Sequence, residues 1–104
     1  MQGRSPTETL KKLLEDVQEK RMSVNDQFKD PYVDDELTNL AIFASKYGDE
    51  VILQKLVDEG LRLDSQGPIC KYADGTIEFS NAIGAAAYAC NLKTLKYLVG
   101  KVPD

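Results

Sequence analysis

Carboxylates and two thiols are the candidate reactive groups of this sequence, and none of its 104 residues is a histidine. Histidine is the commonest acid–base catalyst, and the sequence also lacks a glycine-rich phosphate cradle. Cys70 and Cys90 are interpreted as packing residues rather than nucleophiles. The run Asp34-Asp35-Glu36 is interpreted as a solvated loop and helix start, with a calcium or other metal site as the alternative. The sequence therefore predicts no enzyme activity, no cofactor and no metal site.

Composition narrows the class of partner and the compartment. The formal net charge of −4 argues against a nucleic-acid binder, whose surface should be basic. No apolar run is long enough to cross a membrane, and the polar N-terminus shows no secretory signal. Two cysteines do not make a disulfide framework in a chain of this kind. We therefore expect a cytoplasmic protein with neither a nucleic acid nor a membrane as its partner.

The central stretch, from Asn39 to Asp64, predicts two short helices. Apolar residues recur there at helical spacing in two runs, and a glycine follows each run, Gly48 and Gly60. Asn39 can cap the first helix by accepting a hydrogen bond from a free backbone N–H. Helices of about ten residues are unstable alone in water, so we expect the two to pack as an antiparallel hairpin.

The N-terminal segment predicts an amphipathic helix after a disordered lead, residues 1–4. Ser5-Pro6-Thr7-Glu8 combines a capping residue, a proline at the first helical position and the glutamate of a capping box. We expect residues 5–25 to form a degenerate half-repeat that closes one end of a repeat array. The following segment, Asp26–Asp35, contains Pro31 and four aspartates and is predicted to be a connection rather than an element.

Residues 65–80 predict a β-hairpin with a two-residue turn at Asp74-Gly75. The pairs that this turn implies are Lys71 with Glu78, Cys70 with Phe79 and Tyr72 with Ile77. Because side chains alternate between the faces of a strand, the last two pairs would share one apolar face. We expect that face, with Tyr72 and Phe79, to be buried, while Lys71, Asp74 and Thr76 stay exposed at the tip.

The segment Asn81–Val99 repeats the pattern of the central stretch at an offset of 42 residues. Matching positions are Asn39 and Asn81, Ala44 and Ala86, Leu53 and Leu95, Leu56 and Leu98, and Val57 and Val99. This pattern resembles the ankyrin repeat, whose unit of about 33 residues holds a turn and two helices. The resemblance covers Glu36–Asp64 and Glu78–Val99. The family's Thr-Pro-Leu-His opening reads Asn39-Leu40-Ala41-Ile42 here, without the histidine.

The resemblance implies a mainly α fold, an ankyrin-like stack of antiparallel helix pairs with one projecting β-hairpin. It treats residues 5–104 as a single domain with an N-terminal cap half-repeat (5–25), a repeat (36–64), a hairpin insertion (65–80) and a second repeat (81–99). The far side of the second repeat would be uncovered. We therefore expect a possible homo-oligomer through Leu92, Leu95, Tyr97 and Val99.

The function that the resemblance implies is a non-catalytic protein–protein interaction module, namely a scaffold, adaptor or inhibitor. Its partner would be another protein, bound through a concave face of inner helices and hairpin. The candidate contact residues are Phe43, Lys46, Tyr47, Lys71, Asp74 and Tyr88. For Phe43 and Tyr47 the alternative is that they pack under the hairpin or against the N-terminal helix. The alternative function is a structural N-terminal segment of a larger multidomain protein or effector whose activity lies beyond Asp104.

Overall fold

Helices and two-stranded hairpins alternate along the chain in a computed structural model, which describes residues 5–101. The helices are α1 (Pro6–Gln18), α2 (Leu40–Tyr47), α3 (Glu50–Asp58), α4 (Ala82–Tyr88) and α5 (Leu92–Lys101). The strands are β1 (Phe28–Asp30), β2 (Glu36–Thr38), β3 (Gln66–Lys71) and β4 (Ile77–Asn81). A hairpin followed by two helices therefore occurs twice, after α1. The predicted disordered lead, residues 1–4, lies outside the described residues.

The fold class is α+β, and the predicted mainly α, ankyrin-like stack is wrong. The structure is 48% helix and 18% strand, with two separate antiparallel sheets of two strands each. One of these sheets joins the predicted connection, Asp26–Asp35, to the start of the predicted repeat, where a helix start was expected, because Phe28 pairs with Thr38 and Asp30 with Glu36. These strands have only three residues each, too few to show a clear alternation of polar and apolar side chains.

Side-chain caps begin the helices where the sequence predicted them. The Ser5 hydroxyl accepts from the Glu8 N–H at 3.2 Å, and the Glu8 carboxylate accepts from the Ser5 N–H at 3.3 Å, which completes the capping box. The amide oxygens of Asn39 and Asn81 each accept the backbone N–H three residues on. These bonds satisfy N–H groups that a helix cannot pair internally.

The first helix forms within the predicted half-repeat of residues 5–25 and leaves its last residues outside the helix. It ends at Gln18, and Lys20 then adopts a left-handed conformation with φ of 64°. The Arg21 N–H returns to the Asp16 carbonyl oxygen at 2.8 Å, which satisfies an end carbonyl of the helix. The chain that follows turns back, so that Val24 is buried in the core.

The core lies between α1, the two helix pairs and the turns that join them. Its fully buried side chains include Leu10, Leu40, Phe43, Leu53, Leu56 and Leu98. Buried alanines on α4 face α2, and their small side chains let the two helices approach closely. Gly48, the C-cap of α2, leaves no room for a side chain, since a Cβ there would lie 2.8 Å from both the Ala44 carbonyl oxygen and the Leu10 side chain.

The second hairpin forms as predicted, but its register differs by one residue. Cys70 pairs with Glu78 and Lys71 with Ile77. Gly75 has a φ of +92°, and the Tyr72 N–H donates to the Thr76 carbonyl at 2.8 Å, which closes a three-residue loop instead of a two-residue turn.

This one-residue shift overturns the predicted apolar face. Side chains on one strand change faces when the register slips by one residue. Glu78 now shares the face of Tyr72, and Phe79 lies on the other face, opposite Pro68. Tyr72 and Phe79 are 51% and 54% exposed, so the prediction that they are buried is wrong.

Candidate functional site

Phe43 is buried, so its predicted place on an exposed inner-helix face is wrong. The first hairpin covers it: the ring of Phe28 meets the ring of Phe43 edge-on, at 5.5 Å between centroids. Tyr47 packs against the other side of Phe43 at 4.9 Å. The predicted alternative placed Phe43 under the hairpin of residues 65–80 or against the N-terminal helix, whereas the hairpin whose Phe28 covers it is the first one.

Lys46 is also buried, and its predicted role as an exposed contact is wrong. Its ammonium donates to the Asp30 carboxylate at 3.0 Å, and both side chains are almost fully inaccessible. The same ammonium approaches the carbonyl oxygens of Ile69 at 3.4 Å and Pro68 at 3.5 Å. Lys46 thus joins α2 to both hairpins, because β1 supplies its carboxylate and β3 its carbonyls.

Tyr47 and Tyr32 form the half-exposed end of the aromatic cluster around Phe43. Their ring centroids are 5.8 Å apart. Tyr32 lies in the turn between β1 and β2, and its hydroxyl is 3.3 Å from the Thr9 hydroxyl on α1. Burial raises the pKa of Tyr47 to about 12, with a further contribution from the negative charge of Asp30. The Tyr47 phenol therefore remains a neutral donor at physiological pH.

Tyr72 in the second hairpin and Tyr88 at the end of α4 both approach the Cys70 thiol. The Tyr72 hydroxyl donates to the Glu78 carboxylate, and this hydrogen bond is the main cause of its raised pKa. Hydrogen bonding to the Cys70 thiol raises the pKa of Tyr88. Tyr88 is 58% exposed. We call Tyr32, Tyr47, Tyr72 and Tyr88 the tyrosine surface.

The tips of the two hairpins are joined by an ion pair. Lys71, at the end of β3, lies 2.6 Å from the Asp34 carboxylate in the turn of the first hairpin. Asp74 accepts from the backbone N–H and hydroxyl of Thr76, and these bonds hold the pKa of Asp74 below its usual range. Three of the predicted contact residues, Lys71, Asp74 and Tyr88, have exposed side chains, which a direct contact with a partner would require.

The four residues predicted to mediate self-association differ in exposure. Leu92 and Val99 are 69% and 61% exposed on α5. Leu95 packs against the core, and the Tyr97 hydroxyl donates to Gln54 on α3 at 2.8 Å. Leu92 and Val99 are thus the most exposed of the four, and Leu95 and Tyr97 are partly buried.

Two structural features were not predicted from the sequence, namely the surface position of Tyr32 and a polar cleft. Tyr32 was missed because the turn of the first hairpin was read as a connection, although a proline–tyrosine pair in a polar segment was a usable signal. A polar cleft of about 390 Å³ between residues 25–27 and 62–66 was also missed. Its amide groups hold loops together, as when Asn25 bonds Gly60 and Arg62.

Metal-binding and membrane-spanning features were searched for within residues 5–101. No group of three or more carboxylate, thiol or imidazole side chains converges there as a metal site. Cys70 and Cys90 both carry free thiols. None of the helices in the described range combines the length and apolarity needed to cross a membrane.

Comparison with known proteins finds no match to the chain among protein-family models, curated proteins or solved structures. The resemblance to the ankyrin repeat therefore finds no support there. The function must be argued from the geometry of this chain alone.

Proposed function

We propose that this chain is a non-catalytic protein-recognition module that binds another protein through the tyrosine surface and the adjoining hairpin tips. The observation that carries the proposal is the arrangement of Tyr32, Tyr72 and Tyr88. These side chains are 40%, 51% and 58% exposed; Tyr32 packs edge-on against the half-buried Tyr47 at 5.8 Å, and Tyr72 and Tyr88 both approach the Cys70 thiol.

Tyrosine suits such a surface because its ring gives a large apolar contact and its hydroxyl gives a hydrogen bond at little entropic cost. Phenols are neutral at physiological pH and offer a donor and an acceptor, and the Tyr72 hydroxyl already uses its proton in the hydrogen bond to Glu78. Exposed aromatic side chains of this kind supply much of the free energy of binding in protein interfaces.

The scaffold beneath the surface is rigid, which lowers the cost of binding. Lys46 fixes α2 to both hairpins from inside, and the Lys71–Asp34 pair joins the two tips. Little backbone ordering is then needed when a partner arrives. A scaffold, adaptor or inhibitor of the reducing cytoplasm fits these features, since both cysteines are free thiols.

The test is capture of partners from an extract of the producing cells, followed by calorimetry with the purified partner. The variant Tyr72→Ala/Tyr88→Ala removes two exposed rings of the surface. The control Val51→Ala removes a valine side chain of similar exposure, 57%, from helix α3.

We expect the tyrosine variant to raise Kd at least about tenfold, because truncating an interface tyrosine commonly costs more than ~1 kcal/mol. The valine variant should bind like the wild type, and circular dichroism should show both variants folded. Binding that is lost in the valine variant and kept in the tyrosine variant would refute the proposed surface.

A further inference from the structure

The net charge of the chain is confined to its two hairpins. Residues 28–38 and 66–81 contain six carboxylates and two lysines, whereas the rest of the chain holds eleven acidic and eleven basic residues. The formal net charge of −4 therefore lies in the two elements that carry Tyr32 and Tyr72.

Part of this charge is neutralised inside the molecule and part is not. Asp30 is paired with the buried Lys46, and Asp34 is paired with Lys71. Asp74 and Glu78 are exposed, and within residues 5–101 no lysine or arginine forms an ion pair with either. Their hydrogen-bond donors are the uncharged Thr76 and Tyr72.

The hydrogen bond between Tyr72 and Glu78 holds an aromatic ring next to a carboxyl group at the protein surface. An arginine or lysine can place its charge over a tyrosine ring, and a guanidinium can also bond a carboxylate with two N–H groups. Tyr88, which like Tyr72 approaches the Cys70 thiol, offers a second exposed ring. The surface is therefore complementary in charge and shape to cationic side chains.

We propose that the partner segment recognised by the tyrosine surface is basic, with arginine or lysine side chains seated against Tyr72, Tyr88, Asp74 and Glu78. This inference rests on the proposed function and specifies the chemistry of its partner. Opposite charge would select this partner class over acidic segments, which the unpaired carboxylates repel.

The experiment selects random displayed peptides on the full chain and then measures Kd for the enriched peptides in synthetic form. Asp74→Asn/Glu78→Gln removes the two unpaired carboxylates and keeps their size. Glu19→Gln/Asp64→Asn is the matched control, since it removes two exposed carboxylates outside the hairpins, with side chains 61% and 72% exposed. Tyr72→Ala/Tyr88→Ala reports on the surface itself.

We expect enriched peptides with net positive charge, and Kd values raised about fivefold or more by Asp74→Asn/Glu78→Gln but not by the control. Added salt should weaken the same binding, because exposed charges are screened. The tyrosine variant should also bind these peptides poorly.

Two different failures can be told apart. Enriched peptides that need the tyrosines but are neutral or acidic, or that ignore the carboxylate variant, would overturn the basic partner and leave the proposed function standing. Basic peptides that bind the tyrosine variant as well as the wild type would overturn both. If the wild type enriched no peptide at all, the proposal that its partner presents a basic linear segment would be overturned.

Discussion

Lys46 is a buried cation whose ammonium protons all have acceptors. A lysine ammonium has three N–H donors, and the carboxylate of Asp30 and the carbonyls of Pro68 and Ile69 lie within 3.5 Å of it. The Asp30 carboxylate also accepts the Tyr32 backbone N–H at 2.8 Å. Such a pair is costly to break, because either partner alone would be a buried charge without a counterion.

Replacing Lys46 with methionine should therefore lower the free energy of unfolding by about 3 kcal/mol. Lys71→Met is the matched control, because the Lys71–Asp34 pair is exposed and should be worth less than about 1 kcal/mol. Urea denaturation measures both. The double variant Asp30→Asn/Lys46→Met should recover part of the loss, and equal effects of the two lysine substitutions would contradict this assignment.

Tyr47 links stability to alkaline pH. Its folded pKa of about 12 exceeds the ordinary value near 10, so the unfolded chain releases this proton first. The stabilisation is fully present below pH 10 and is lost as pH rises towards 12.

Between these pH values the wild type should lose about 1 kcal/mol more stability than Tyr47→Phe, after allowance for the partial exposure of the ring. Denaturation curves at several alkaline pH values test this. Parallel loss of stability in the two proteins would show that Tyr47 is not responsible.

At the scale of elements, the turn of the second hairpin depends on one glycine. Gly75 has a left-handed φ of +92°, yet a Cβ at this position would meet no atom within 4 Å. The need for glycine is thus a matter of backbone conformation and not of space.

Gly75→Ala should accordingly cost about 1 kcal/mol of stability. Gly100→Ala is the control, because Gly100 lies in α5 with equally open space around its Cα. Alanine favours helix, so this change should be neutral or stabilising by up to about 1 kcal/mol. Thermal unfolding distinguishes the two, and a similar effect of both substitutions would contradict the conformational explanation.

Local chemistry predicted the boundaries of several elements. Ser5, Asn39 and Asn81 cap helices through contacts within three residues, which a sequence displays directly. The predicted register of β3 and β4 differed from the observed one by one residue, because Asp-Gly suits a two-residue turn as well as the three-residue loop that forms. The first hairpin was missed because contacts distant in sequence, such as Asp30 with Lys46, stabilise its short strands.

The candidate site was predictable only in part for the same reason. Lys71, Asp74 and Tyr88 are exposed where tip and helix positions were expected. Phe43 and Lys46 were expected on the binding face. The first hairpin, which was not predicted, covers Phe43 and supplies Asp30 as the counterion of Lys46. Whether Phe43 and Lys46 are exposed therefore depended on the first hairpin, which helical periodicity does not reveal.

At the scale of the whole molecule, α5 leaves Leu92 and Val99 largely exposed. They lie seven residues apart, which is two turns of helix, and so share one side of α5. We expect weak, concentration-dependent self-association through this side, since exposed apolar surface favours burial.

Sedimentation equilibrium over a wide concentration range measures the self-association. Leu92→Gln/Val99→Gln should abolish it, whereas Val51→Gln, on α3, should leave it unchanged. A strict monomer at high concentration would rule out this contact. Association that persists in the double variant would place the contact elsewhere.

The confinement of net charge to the hairpins also gives the molecule an electric dipole moment. In the field of a distant basic protein, a dipole experiences a torque as well as an attraction. The chain should therefore rotate during diffusion until its hairpins lead, before any side chain touches the partner. Productive collisions would become more frequent, and the gain would fade as dissolved ions shorten the reach of the field.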